Sequence, residues 1–195
     1  MNDQRINAIY TKIIYPMEKQ IYQVQIVLKN SKPKIWRRVL VKSDVFLADF
    51  HEIIQVAMGW TDSHMHQFEK NRTFYAPKEF ELEESKDYRK VHLHTLLNRE
   101  KEKIQYEYDF GDGWKHEIIL EKLLPFSESE KLPVCTGGKG NCPPEDCGGV
   151  WGYAELLEII SNPGHKEYQD MMEWIGEDFD PEYFDIDEIN KMLKE

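Results

Sequence analysis

Hydrophobic and polar side chains alternate over much of the first 125 residues, a pattern that predicts β-strands with one buried face. The alternation runs from Tyr22 to Leu28 and resumes, after a turn at residues 30–33, from Ile35 to Val41. Short strands are also predicted at residues 64–69 and 73–75. This part of the chain should therefore form a sheet.

One amphipathic helix interrupts these strands. Apolar residues recur at intervals of three or four from Leu47 to Met58, which predicts a helix that ends at Gly59. Residues 77–90 are polar and charged, and they predict a surface loop.

The clearest local pattern is a pair of alternating runs, residues 104–110 and 114–121, separated by Gly111-Asp112-Gly113. Asp-Gly between such runs is typical of a β-hairpin, because its turn needs positive φ angles. The two strands should pair antiparallel, so the sheet should be mainly antiparallel.

The last 45 residues change to helical spacing. Helices are predicted at residues 151–160, 165–174 and 185–193, the first ended by Asn162-Pro163-Gly164 and the second by Gly176. Strands followed by helices define an α+β fold. We expect a mainly antiparallel sheet with one N-terminal helix packed on it and a helical, acidic C-terminal part.

The net charge of −11 is concentrated in that C-terminal part. Residues 151–195 carry 13 acidic and 3 basic side chains, whereas residues 1–150 carry 23 and 22. The carboxylates either form a solvated helical face or provide a docking surface for a basic partner protein. An acidic chain with only six arginines argues against direct nucleic-acid binding.

The length of 195 residues fits a single domain over 1–195, since neither a repeat nor a linker is evident. No apolar run approaches the ~20 residues that span a bilayer, and the first residues do not resemble a signal peptide. Three cysteines make a poor disulfide framework and favour a reducing compartment. We therefore expect a cytoplasmic protein without a membrane segment.

Two histidines are candidate metal ligands. His64 and His66 stand two residues apart, so on a strand both imidazoles would project from one face. Asp62, Asp109 or Asp112 could supply the third ligand of an open site for Zn, Ni or Fe. Alternatively, both histidines are structural and form hydrogen bonds with backbone or carboxylate groups.

The turn of the predicted hairpin supplies further candidates. Asp109 and Asp112 flank Gly111, and Trp114 follows. These residues are candidate binding residues, and the two carboxylates would line a binding pocket. The alternative is purely structural, because Asp and Gly favour turns.

Three cysteines form the last candidate group. Cys135, Cys142 and Cys147 lie within 13 residues that are rich in Gly and Pro, for which we predict an irregular loop. With His116 as fourth ligand they would make a zinc site, although the short Cys-x2–4-Cys pair typical of such sites is missing. Alternatively, His116 is a core histidine and the thiols are small buried apolar groups.

Four ordered motifs of this chain resemble the plasmid pRiA4b Orf-three-like family. They are Ile35-Trp36-Arg37-Arg38, Met58-Gly59-Trp60-Thr61-Asp62-Ser63-His64, Tyr106-Glu107-Tyr108-Asp109-Phe110-Gly111-Asp112-Gly113-Trp114-Lys115-His116 and Cys142-Pro143-Pro144-Glu145-Asp146-Cys147-Gly148-Gly149. The resemblance extends from about residue 20 to the C-terminus. It implies a small bacterial or archaeal protein, and some members carry labels linking them to mobile elements or resolvases. It supplies no catalytic residue set.

Two function classes follow from these patterns. The first is a binding or scaffolding module with no reaction that the sequence can name, which should expose an apolar or charged surface. The second is a metal-dependent enzyme that uses His64, His66 and a nearby carboxylate in a deep pocket. A resolvase is disfavoured, because it needs a nucleophilic serine supported by arginines and a basic DNA-binding region.

Overall fold

A computed structural model describes residues 19–176 and 178–195, which form one eight-stranded sheet with helices packed against it. The strands are β1 (Gln20–Leu28), β2 (Trp36–Lys42), β3 (His66–Lys70), β4 (Thr73–Ala76), β5 (Ser85–Asp87), β6 (Lys103–Tyr108), β7 (Trp114–Pro125) and β8 (Val134–Lys139). The helices are α1 (Leu47–Met58), α2 (Leu93–Leu96), α3 (Gly149–Ile160), α4 (Tyr168–Ile175) and α5 (Ile186–Met192).

The strands lie in the order β5-β4-β3-β6-β7-β1-β2-β8. Every neighbouring pair is antiparallel except β4 and β5, which are parallel. The predicted α+β class with a mainly antiparallel sheet is confirmed. The predicted hairpin is also present, with Tyr108 on β6 opposite Trp114 on β7. Its turn closes through positive φ angles at Asp109 and Gly113.

The core lies between the central strands and α1. Val24 and Ile26 on β1 stand opposite Leu120 and Ile118 on β7, and all four are fully buried. Phe50 on α1 is buried in the same cluster. Burying each of these side chains contributes roughly 1.5–3 kcal/mol, which explains why the alternating segments pair at the centre of the sheet.

Arg37 joins α1 to the sheet from inside the protein. Only 3% of this residue is exposed, and its guanidinium donates to the backbone carbonyls of Ala57, Trp36 and Lys139 at 2.7, 2.9 and 3.0 Å. Burial lowers the pKa of Arg37. A cation at the last turn of a helix also complements the helix dipole.

The outer edge of β8 is covered by α5. The side chain of Asn190 accepts a hydrogen bond from the Cys135 N–H at 2.7 Å and donates one to the Cys135 carbonyl at 2.9 Å. One amide side chain thus makes the two bonds that a neighbouring strand would make. The acidic C-terminal part is therefore attached to the sheet rather than only placed beside it.

Two sequence predictions are wrong in detail. Residues 77–90, predicted as a loop, contain a 3-10 turn at Lys78–Phe80 and the edge strand β5. The segment around Cys135, predicted as irregular, contains β8. Within the described chain the longest helices have 12 residues, too few to cross a membrane.

Candidate functional site

Two histidines and an aspartate meet beside the first residue of β3. His51 on α1, His66 on β3 and Asp62 in the loop between them place their ligand atoms within 4.8 Å of one another. The imidazole rings are stacked, with centroids 3.4 Å apart and planes 10° from parallel. Asp62 Oδ1 lies 2.8 Å from His51 Nε2 and 3.9 Å from His66 Nδ1.

Loop geometry places the carboxylate. Asp62 has a φ of 55°, a left-handed conformation that Asp adopts more readily than most residues. Its backbone N–H donates to Gln55 Oε1 at 3.1 Å, so a helix side chain holds the loop. The Asp62 side chain is 41% exposed, whereas both histidines are buried. The group therefore opens to solvent on the carboxylate side.

A tyrosine hydroxyl holds each imidazole by its other nitrogen. Tyr106 Oη lies 2.8 Å from His51 Nδ1, and Tyr88 Oη lies 3.0 Å from His66 Nε2. Metal-binding histidines usually use their second nitrogen in this way, which fixes the ring orientation and the tautomer. The remaining nitrogens, His51 Nε2 and His66 Nδ1, both face Asp62.

His66 Nδ1 is the unusual atom of the group. It is inaccessible to solvent and forms no hydrogen bond of normal geometry within the described residues. An unpaired buried polar atom costs about 1–3 kcal/mol, so proteins rarely retain one without a reason. A cation held with His51 and Asp62 would satisfy this nitrogen.

The electrostatics of the group favour neutral imidazoles. Burial lowers the pKa of His51 to about 4, and burial together with the neighbouring His51 lowers that of His66 to about 3. Burial raises the pKa of Asp62, while His66 acts in the opposite direction. Both rings are therefore neutral at pH 7, the form in which histidine binds metals.

The donor set fits a divalent transition metal. Two imidazoles and one carboxylate suit Zn or Fe, and three protein ligands leave further positions open. Because the two rings are nearly parallel, the lone pairs of their nitrogens also run nearly parallel. The two nitrogens would therefore point at one ion only after the rings tilt relative to each other.

His64 belongs to a different group. Its Nδ1 lies 3.7 Å from Asp109 Oδ2, and its Nε2 lies 3.5 Å from Asp146 Oδ1. The structure therefore does not bring His64 and His66 to one site. The reason is that β3 begins only at His66, so the alternation of side chains along a strand does not apply to His64.

The predicted binding residues of the hairpin turn have structural contacts. Asp109 Oδ1 accepts from the backbone N–H groups of Gly111 and Asp112 at 2.9 and 3.3 Å. Asp112 Oδ2 accepts from the Gly148 N–H at 3.1 Å, which attaches the turn to the start of α3. Trp114 is fully buried in the core. These contacts build and anchor the turn.

The three cysteines do not converge with His116. Of the described residues, two groups of at least three His, Cys, Asp or Glu have their ligand atoms within 4.8 Å, and neither contains a cysteine. All three thiols are free, and the Cys135 thiol points to the Gly137 carbonyl at 3.6 Å. His116 is fully buried, with its ring edge-to-face on Trp60.

His51 was not among the residues predicted from the sequence, although its helix carries a signal. His51 follows Leu47 by four residues and precedes Gln55 by four, so two polar side chains lie on the helix face that enters the core. Buried polar side chains need partners, and here those partners are Tyr106 and Asp62. Two polar residues, His51 and Gln55, on the apolar face of a predicted helix are therefore the pattern that indicates the His51, Asp62 and His66 group.

The fold and this group define an α+β protein with a candidate metal centre. The chain belongs to the family described as plasmid pRiA4b ORF-3-like protein, which matches residues 20–188. It is 35% identical over 180 residues to the uncharacterized protein y4hQ of Sinorhizobium fredii, covering 91% of this chain and 92% of that protein.

A solved structure shares the fold. The crystal structure of the protein of unknown function MM3350 from Methanosarcina mazei Go1 is similar with a TM-score of 0.78 and 38% identity. The similarity covers 87% of this chain and 97% of that one. The descriptions of these relatives attach no reaction to them, so they support no nameable reaction for this chain.

Proposed function

We propose that this protein binds one divalent transition-metal ion through His51 Nε2, Asp62 and His66 Nδ1. The observation that carries the proposal is the buried, unpartnered His66 Nδ1, which faces the carboxylate that His51 also contacts. Zinc is the first candidate metal because neutral imidazoles and a carboxylate are among its ordinary ligands. Iron and nickel accept the same donors.

The exposure of Asp62 indicates which kind of metal centre this is. Structural zinc sites usually have four protein ligands and are closed, whereas catalytic sites have three and keep a position for water or substrate. This group has three ligands, and its carboxylate is 41% exposed. These features favour an open centre over a closed structural one, with each imidazole hydrogen-bonded to a tyrosine through its second nitrogen.

Replacing Asp62 with asparagine tests the proposal. Asp62→Asn keeps the size of the side chain and removes its charge. Losing even an outer partner of a metal ligand typically weakens binding about 10–100-fold, so we expect the affinity for Zn²⁺ to fall by at least that much when a direct ligand is lost. Isothermal titration calorimetry is done on protein that was purified without a histidine tag and treated with chelator. The wild type should bind one equivalent of Zn²⁺. Titrations with Fe²⁺ and Ni²⁺ establish the metal preference.

Asp187→Asn is the matched control, because Asp187 is an exposed aspartate on α5 that belongs to neither His/Asp group. It should leave the affinity unchanged within about twofold. Absence of metal binding by the wild type, or equal losses in the two variants, would contradict the proposal.

A further inference from the structure

Helices α3 and α4 enclose an open groove with an apolar floor. The cavity has a volume of about 360 Å³. Leu156 and Ile159 of α3 and Met171 of α4 line it, and Trp174 of α4 forms part of its wall. Leu156 and Ile159 are buried, while 49% of Trp174 is exposed. The apolar surface that the groove exposes therefore belongs mainly to Trp174 and Met171 of α4, with Leu156 and Ile159 beneath them.

Helix α4 forms the more exposed side of the groove. None of its eight residues is fully buried, although Met171 and Ile175 pack partly on the core. A methionine side chain adjusts its shape to different partners at small energetic cost, and a half-exposed tryptophan adds a large contact area. Such a surface suits a peptide better than a rigid small molecule.

The rim of the groove is acidic. Asp146, Glu155 and Glu167 border it, and Lys166 pairs with Glu167 at 3.1 Å. Within residues 19–176 and 178–195, Glu155 forms no ion pair, so its charge is available to a partner. The surrounding segment 151–195 carries a net charge of −10. The complementary partner is therefore positively charged.

We propose that this groove binds a basic amphipathic segment of a partner protein, which inserts an apolar side chain between α3 and α4 and places Lys or Arg against the rim. Recognition of amphipathic segments by grooves between helices follows this division between an apolar anchor and a charged border. The proposal is independent of the metal site, because the groove shares no residue with it.

A synthetic peptide provides the probe. We specify a 14-residue peptide in which Leu repeats at helical spacing and Lys fills the other positions, labelled for fluorescence anisotropy with the full chain. Two comparison peptides have Glu in place of Lys, or the same Leu and Lys in an order that destroys the apolar face. The Leu/Lys peptide should bind at least about tenfold more tightly than either, and more weakly at high salt.

Two pairs of variants locate the binding. Trp174→Ala should weaken binding by about tenfold or more, whereas Trp151→Ala should not, since Trp151 is 84% exposed and lies outside the groove. Glu155→Lys should weaken binding more than Glu158→Lys, which makes the same charge change on the same helix outside the groove. Circular dichroism checks that each variant is folded.

Several results would overturn the proposal. One is that the Leu/Lys peptide does not bind to the wild type. Another is that both members of each pair weaken binding equally, which would show that the peptide does not bind in this groove. A third is a homodimer in sedimentation equilibrium that Trp174→Ala dissociates, because the occupant of the groove would then be a second copy of this chain.

Discussion

Replacing Gly152 with alanine is expected to lower the free energy of unfolding by about 3 kcal/mol, even though alanine favours a helix by about 1 kcal/mol over glycine. A Cβ atom at position 152 would lie 1.8 Å from the carbonyl oxygen of Cys147 and 2.8 Å from its carbonyl carbon. Both are backbone atoms, so no side-chain rotation can relieve the overlap. The segment before α3 would have to move away from the helix.

Urea denaturation followed by circular dichroism measures this loss. In a chain of this length, 3 kcal/mol corresponds to a fall in Tm of about 6–12 °C. Gly164→Ala is the control, because the nearest atom to its Cβ would be the side-chain oxygen of Asn162, at 3.4 Å. Equal stability of the Gly152→Ala variant and the wild type would show that the helix and the segment before it do not pack this closely.

Mild acid is expected to destabilise the metal-free protein strongly. Burial lowers the pKa of His51 to about 4 and those of His66 and His116 to about 3, whereas an unfolded histidine titrates near 6.5. Above pH 6.5 all three are neutral in both states and contribute no pH dependence. As the pH falls below 6.5, the unfolded state takes up protons that the folded state excludes, so stability is lost.

The expected loss between pH 6.5 and 5.0 is about 1.5 kcal/mol for each buried histidine. Urea titrations across this range, in chelator, measure it. His116→Leu should remove one of the three contributions and therefore reduce the pH dependence by about a third. It also eliminates two buried ring nitrogens that have no hydrogen-bond partner in the described chain. Equal pH dependence of the variant and the wild type would show that His116 takes up protons in the folded state.

The parts of the fold that the sequence predicts correctly are those with one buried face. The alternation from Tyr22 to Leu28 and on both sides of the hairpin turn has a direct physical cause, since alternate side chains enter the core. The edge strands lack this signal. Strand β5 is short and charged, and β8 contains Gly137 and Gly138, which supply no side chain to alternate.

The candidate metal group is only partly visible in the sequence. His66 and Asp62 are named by their proximity along the chain, but His51 comes from a helix and meets them only after the helix packs on the sheet. Spacing rules apply within one element and do not predict contacts between elements. The rule for strands also pairs His64 with His66, but it fails here because His64 lies before the strand begins.

The contact between Asn190 and Cys135 has a consequence for the outer edge of the sheet. An open sheet edge can accept a strand from another molecule and so begin a chain of intermolecular pairing. Here a single side chain from α5 occupies the bonding groups of Cys135 on that edge. Fraying of this short, acidic helix would therefore uncover the bonding groups of Cys135, so α5 protects the edge of β8 from pairing with a neighbouring copy.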